Sequence, residues 1–595
     1  MMMRTSRALV LCVLVACGGS SGDFDGDNAM LTLEPATSEH IILNGVEPTQ
    51  GFKAILVDTN GNKKDVTDNV AFYVESSFGE FAGPTLTIKS PGKSTVSAIY
   101  SDKQGTAQVL ARVKTSRVAD DPNNPNDDVP PNAPDLFGSA TEDAAKAPTV
   151  VYPAEGVTMP RNIGDFEAHW VDGINNVFEV SLQSEFSDIR VYVAGGNGVG
   201  GGPRPSWFAF TPLEWSYAVA SESTINYQVR GLDSANPATV GSSPVRIVRL
   251  TNEAMEGGLY YWAAAGAEYG IFRHDVSKPG QPAEPYMTDV STGKCVACHA
   301  LSRDGTTMAI TYDGGNGRAT IVDVASKTAQ PVPALAPAPD VGSNDPTRWN
   351  FATLYPDGSR MITVFQGTIT VRQTSDQSVL ATMPSGGYET HPDLSADLTR
   401  LVYIRSAAPG SDWSFTTGTI FTRTFDPVTL TFGAETPLVN AGGNNFYPSW
   451  SPDGQWILFN RAPSNGDAYN NLEASLFVLK ADGSGQPIPL TSFNGATSGL
   501  TNSWGRWAPF QQTVGSGAEP IYWVTVSSKR DFGVRRINTG LPEASKTPQI
   551  WMSPFYTSRA AAGMDPTAPA FRLPFQNLMS NNHIAQWTER IIEVN

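Results

Sequence analysis

The chain has 595 residues, a formal net charge of -17 and four cysteines. That length exceeds one ordinary domain and suggests about three or four. The acidic balance leaves no basic groove for a phosphate backbone, which excludes nucleic acid as a partner. Short apolar runs between polar turns, with frequent Gly and aromatics and few helical periodicities, predict an all-β protein.

Residues 1–17, "MMMRTSRALVLCVLVAC", begin the chain with Arg4 and Arg7 ahead of an apolar run from Ala8 to Ala16. The run is too short for a permanent bilayer span and reads as an export signal. Its end, Leu14-Val15-Ala16-Cys17, resembles the lipobox of bacterial lipoproteins. The resemblance implies acylation of Cys17, attachment to a membrane through that lipid, and, with Gly18 following, an outer membrane lipoprotein facing the periplasm or the cell surface. Multiple acyl chains suffice for stable anchoring. Residues 18–29 read as a flexible tether. Gly18 to Gly22 spells G-x-S-x-G without the flanking strand and helix of a nucleophile elbow. Asp23, Asp25 and Asp27 lack the closing Glu of an EF-hand loop.

From 30 to 115, alternating runs such as "GFKAILVDTNG" and "STVSAIYSD", separated by turns at Asn60-Gly61 and Pro91-Gly92, predict a β-sandwich. "KKDVTDNVAFYVES" and "KSPGKSTVSAIY" resemble bacterial immunoglobulin-like domains, which are mostly spacers. Residues 116–147 are rich in Pro, Asn and Asp and read as a linker. Residues 148–250 predict a second sandwich, loosely similar to fibronectin type III. Its Gly196, Gly198 and Gly201 match G-x-G-x-x-G, but Pro203 and Pro205 rule out the helix that a dinucleotide site requires.

Residues 251–595 contain an internal repeat. "CHALSRDGTTMAIT", "ATLYPDGSRMITVF", "HPDLSADLTRLVYI" and "YPSWSPDGQWILFN" each place a polar turn between two strands. "GRWAPF" from Gly505 is a degenerate copy, and "NNHIAQWTERIIEV" from Asn581 parallels "NNFYPSWSPDGQWI" from Asn444. These copies resemble the PD40 repeat of TolB-type β-propellers. The resemblance implies six blades, the last completed by residues 258–276 so that no sheet edge stays open. The expected architecture is two β-sandwich domains followed by a six-bladed propeller.

Cys295, Cys298 and His299 stand at C-x-x-C-H spacing, the attachment signature of c-type haem. Cys295 and Cys298 would carry the thioether bonds of one haem c, and His299 would ligate its iron. A Cys295–Cys298 disulfide is the alternative. A zinc site would need a second ligand pair. The repeat register sets Cys298, Phe351, His391, Tyr447, Trp504 and Ile584 on one ring around the propeller axis. His391 is therefore the first candidate for the distal iron ligand and His583 the second, with Met308 and Met579 behind them. Phe351, Tyr447 and Trp504 would wall the pocket. His40, His169 and His274 read as surface histidines.

The function expected first is a lipid-anchored c-type cytochrome that transfers one electron to a redox partner protein in the envelope. The alternative is a TolB-like scaffold that binds a protein or glycan and uses the two cysteines as a disulfide. An open sixth iron site would instead suit a haem enzyme or sensor. No acid–base or nucleophile constellation points to a hydrolase.

Overall fold

The computed structural model describes residues 24–119, 129–195, 204–265, 268–312, 318–330, 348–407, 411–439, 443–463 and 467–594. Cys17, the G-x-S-x-G stretch, Asp23 and the Gly196–Gly201 loop lie outside them. Among the described residues no helix is long and apolar enough to cross a membrane.

The chain divides between Arg112 and Val113 into two compact units. The first is a β-sandwich. Met30–Glu34, Lys53–Val57 and Lys63–Asp65 form one sheet, and Thr49–Gly51, Thr85–Ile88 and Gly79–Ala82 another. A third ladder pairs Gly92–Tyr100 with Ala71–Tyr73 and with residues 103–111. Period-two alternation puts Leu31, Leu33, Leu86, Ile88, Val96 and Val109 inside.

The second unit holds the other sandwich and the propeller. Val177–Gln183 pairs with both Ser187–Ala194 and Thr224–Leu232, and residues 113–118 lie parallel to residues 187–192. A smaller sheet of Thr149–Tyr152, Glu167–Asp172 and Arg204–Ala209 packs the buried Trp170 against Phe178. The stretch read as linker holds a helix, Ala133–Ser139, with Pro134 in its first turn, and then a short strand, Thr141–Glu142, paired with residues 239–240. The helix buries Ala133 and Phe137 against Tyr192, Leu232 and Val240.

Among the described residues six four-stranded sheets follow, each formed from consecutive strands except the last. The inner strands of blades one to five are Val296–Leu301, Phe351–Leu354, Tyr388–Leu394, Asn444–Trp450 and Ser503–Val514. In blade six the inner strand is Asn581–Thr588, antiparallel to Gly258–Ala265 and continued outward by Glu268–Asp275 and Glu284–Thr288. Neighbouring inner strands touch all the way round, blade six against blade one included. The architecture is the six-bladed propeller the repeat predicted, closed by strands from the two ends of the domain.

The repeat turn is held by one serine. Ser451 Oγ donates to Asp453 and accepts the Trp456 N–H at 2.9 Å. Asp453 also accepts the Gln455 N–H at 3.0 Å, and Gly454 sits at φ +66°. Ser302 with Asp304 and Ser395 with Asp397 repeat the arrangement. Ser451→Ala leaves the buried Trp456 N–H without an acceptor and should cost about 1–3 kcal/mol, read as a lower urea midpoint with unchanged slope.

Candidate functional site

Five of the six inner strands carry a β-bulge at the same height. Ala297-Cys298 oppose Thr311, His391-Pro392 oppose Tyr403, and Tyr447-Pro448 oppose Phe459. Trp504-Gly505 oppose Val526, and Ile584-Ala585 oppose Tyr261. His391, Tyr447, Trp504 and Ile584 all take left-handed backbone, with φ between 50° and 60°. Each such residue costs about 1–2 kcal/mol, and such strain persists where the surrounding structure over-determines it. The bulges turn these side chains inward, and the result is an aromatic layer across the shaft. His391 lies 4.5 Å from both Phe351 and Tyr447 by ring centroid, and Tyr447 lies 4.4 Å from Trp504. Cys298 and Phe351 pack on the same apolar cluster as Tyr447, Trp504 and Ile584.

On the side where the inner strands begin, the layer floors a chamber of about 310 Å³. Phe351, Trp413, Tyr447, Tyr469 and Trp504 wall it, with Cys298, Asn350, Asp467 and Asn470 as its main polar groups. Asn350 donates to Asp412 at 2.6 Å, while its own Oδ1 is buried without a partner. Trp413, Asp467, Tyr469 and Asn470 come from loops between the second and third strands of blades three and four. They lie outside the repeat, so sequence reasoning missed them. No periodic signal marks a loop residue, although Trp413 and Tyr469 are large aromatics in otherwise polar loops.

Beyond the layer is a second cavity of about 30 Å³, lined by Cys298, His299, His391, Trp504, Arg506 and Gln586 among others. Cys298, Asn350, Phe351, Tyr447 and Trp504 line both spaces. Neither Cys295 nor Cys298 is in a disulfide. Cys298 lies deep in the propeller, and burial pushes its thiol up to about 11. At pH 8 its alkylation by iodoacetamide should be on the order of a hundredfold slower than that of an unhindered thiol, recovering on denaturation. Mass spectrometry of the Cys298 peptide reads this.

The six histidines separate by environment. Burial draws His299 down to about 4, His583 to about 3 and His391 well below the usual imidazole range. His299 Nδ1 lies 3.4 Å from the Ala297 carbonyl, and its Nε2 has no partner. His583 points away from the ring positions, stacked on Tyr469 at 3.9 Å, with Nδ1 accepting the Ile584 N–H at 3.1 Å. Met308 is buried in the core between blades six and one, and Met579 is exposed. His169 and His274 are not surface residues. His169 is fully buried against Glu167 at 2.9 Å, where Arg535 of blade five also reaches Glu167. His274 stacks on Phe575. His169 sits on the central strand of the small sheet, covered by Phe532 of blade five, and His274 on an outer strand of blade six covered by Phe575.

A covalent haem needs the motif's thiols and imidazole around one space. The chamber is lined by Cys298 but by none of His299, His391 and His583, and the cavity that Cys298, His299 and His391 share is too small for a porphyrin. The side chains as arranged do not fit the group. Among the described residues no cluster of three or more His, Cys, Asp or Glu could hold a metal ion.

No family model and no curated protein matches the chain. Solved structures similar to it include a putative TolB from Agrobacterium tumefaciens, at 14% identity and TM-score 0.32, covering 56% of this chain and 99% of that one. TolB from Acinetobacter baumannii is similar at 14% identity and TM-score 0.35, over 61% of this chain and 79% of that one. Kuenenia stuttgartiensis hydrazine synthase is similar at 14% identity and TM-score 0.27, over 51% and 73%. The propeller assignment rests on the strand topology itself.

Proposed function

We propose that the chain is a lipid-anchored envelope protein whose propeller binds a glycan, with the axial chamber as the site. The carrying observation is the chamber itself: about 310 Å³, walled by five aromatic rings, with a buried Asn350 Oδ1 lacking a partner. That volume lies at the lower end of small-ligand pockets and suits one sugar residue. Aromatic faces stack on the C–H face of a sugar, and Asp467, Asn350 and Asn470 supply planar groups for its hydroxyls. The Leu14–Cys17 lipobox supports outer membrane attachment.

The test is a glycan array followed by tryptophan-fluorescence titration of the full chain. Trp413, at the chamber wall and 37% exposed, can be replaced with little effect on folding. Trp413→Ala should weaken binding at least tenfold at an unchanged melting temperature. An array with no retained glycan would sink the reading.

A second reading keeps haem c on Cys295 and Cys298, with His299 on the iron and an envelope redox partner. The observation that favours it is the unpartnered, buried Nε2 of His299. It asks His299 to turn into the chamber. A haem stain of denatured protein from a host with c-type maturation separates the readings.

A further inference from the structure

The small cavity beyond the aromatic layer has a donor set that glycan binding does not use. Arg506 follows the Trp504-Gly505 bulge and lines it. Its guanidinium stacks over Trp504 at 4.9 Å and donates to the Gly505 carbonyl at 2.9 Å. Among the described residues no carboxylate lies within ion-pair distance of it. Asp393 is the acidic group that influences it most, and Asp393 is already committed to the Trp450 N–H at 2.8 Å and to Thr353 at 3.2 Å. A part-buried guanidinium without a contacting counter-charge is costly to maintain.

Three other lining groups add donors. His391 accepts the Tyr447 N–H on Nδ1 at 3.4 Å, so a neutral ring carries its proton on Nε2. That Nε2 has no partner in a side chain 4% exposed. Trp504 and Trp349, 4% and 2% exposed, likewise have indole N–H groups without acceptors. Among the described residues no Asp or Glu lines the cavity, and Asn350, which does, has its amide N–H committed to Asp412 and its Oδ1 unpartnered. His299 is turned to backbone carbonyls, those of Ala297 and Tyr260, and not to an anion. Unsatisfied buried donors beside a part-buried cation are what an anion requires.

We infer that Arg506, His391, Trp349 and Trp504 form a binding site for a compact monovalent anion in the propeller shaft. A volume of about 30 Å³ admits an anion of halide or formate size and excludes a bulky one. The bound anion supplies the counter-charge that Arg506 lacks and ties blades two, three and five together at the axis.

The experiment uses the full chain in chloride-free buffer, with ionic strength held constant by gluconate, which is too large for the cavity. Formate, nitrate and chloride are titrated separately, following the melting temperature and tryptophan fluorescence. The expected result is a saturable rise in melting temperature with at least one of the three, which identifies the anion. Arg506→Gln should weaken it at least about tenfold. Trp504→Phe, which keeps the ring and removes one donor, should weaken it several-fold and carries the test if the arginine variant does not fold. A wild-type chain with no saturable response to any of them up to about 0.3 M overturns the inference. A response equal in wild type and variants overturns it too. Neither result bears on glycan capture in the chamber.

Discussion

A chain ending at Ser580 should lose cooperative unfolding of the propeller. The deleted segment contains the inner strand of blade six, paired with Gly258–Ala265 from Gly258↔Thr588 to Ala264↔Asn581. It also places Ile584 and Trp587 in the core, 3% and 8% exposed. Burying each such side chain contributes about 2–3 kcal/mol, and the vacated space adds a cavity term. Strand edges on either side of the gap lose their cover. Together these losses take most of a typical stability of about 5–15 kcal/mol. The measurement is urea unfolding by near-ultraviolet circular dichroism, with dye binding to exposed apolar surface. Trp587→Ala serves as the milder comparison, at about 3–5 kcal/mol. A truncated chain that unfolded at the wild-type midpoint would show that the closing strand is dispensable.

Stability should fall steeply between pH 7 and pH 5. His274 and His299 are held near 4 and His583 near 3 by burial, and His169 and His391 are also lowered. Each folded value lies below the unfolded value, so the unfolded chain takes up protons first. The stability each neutral imidazole contributes is complete above pH 6.5 and is lost as pH falls toward the folded value. Between pH 7 and pH 5 each histidine should cost on the order of 1–2 kcal/mol, and several act together. Asp393 works the other way. Burial raises it to about 6, so protonation favours the folded state as pH falls through that value. It offsets about one histidine. Lowered carboxylates such as Glu435, held near 2 by Arg405, matter only below the ordinary carboxylate range. Urea midpoints at half-unit intervals of pH, with His274→Phe as a control that removes one contribution, measure the slope. A flat profile from pH 7 to pH 5 would mean the histidines are hydrated.

The propeller could be read from the sequence because its turns are local. Ser-x-Asp-Gly carries its own hydrogen bonds over six residues, and an apolar alternation follows every copy. Counting along that repeat was enough to bring Cys298, Phe351, His391, Tyr447 and Trp504 to one level of the shaft. Other features depended on which elements meet. Nothing local announces that His391, Tyr447, Trp504 and Ile584 take left-handed backbone, since neighbouring blades impose the bulge. His169 and His274 read as surface residues on polar strands, and became buried only where blade five and Phe575 cover them. Trp413, Tyr469 and Asn350 form the chamber because loops and strand ends from separate blades converge at one end of the axis. The C-x-x-C-H spacing named a chemistry, while the fold let its thiol and its imidazole share only a cavity of about 30 Å³ and left the imidazole out of the larger chamber. The β-class, the repeat and the ring register are written in the chain locally, because turn chemistry and side-chain alternation act within a few residues. What the ring encloses emerges only when the blades assemble, because the shape and charge of a cavity belong to all six blades at once.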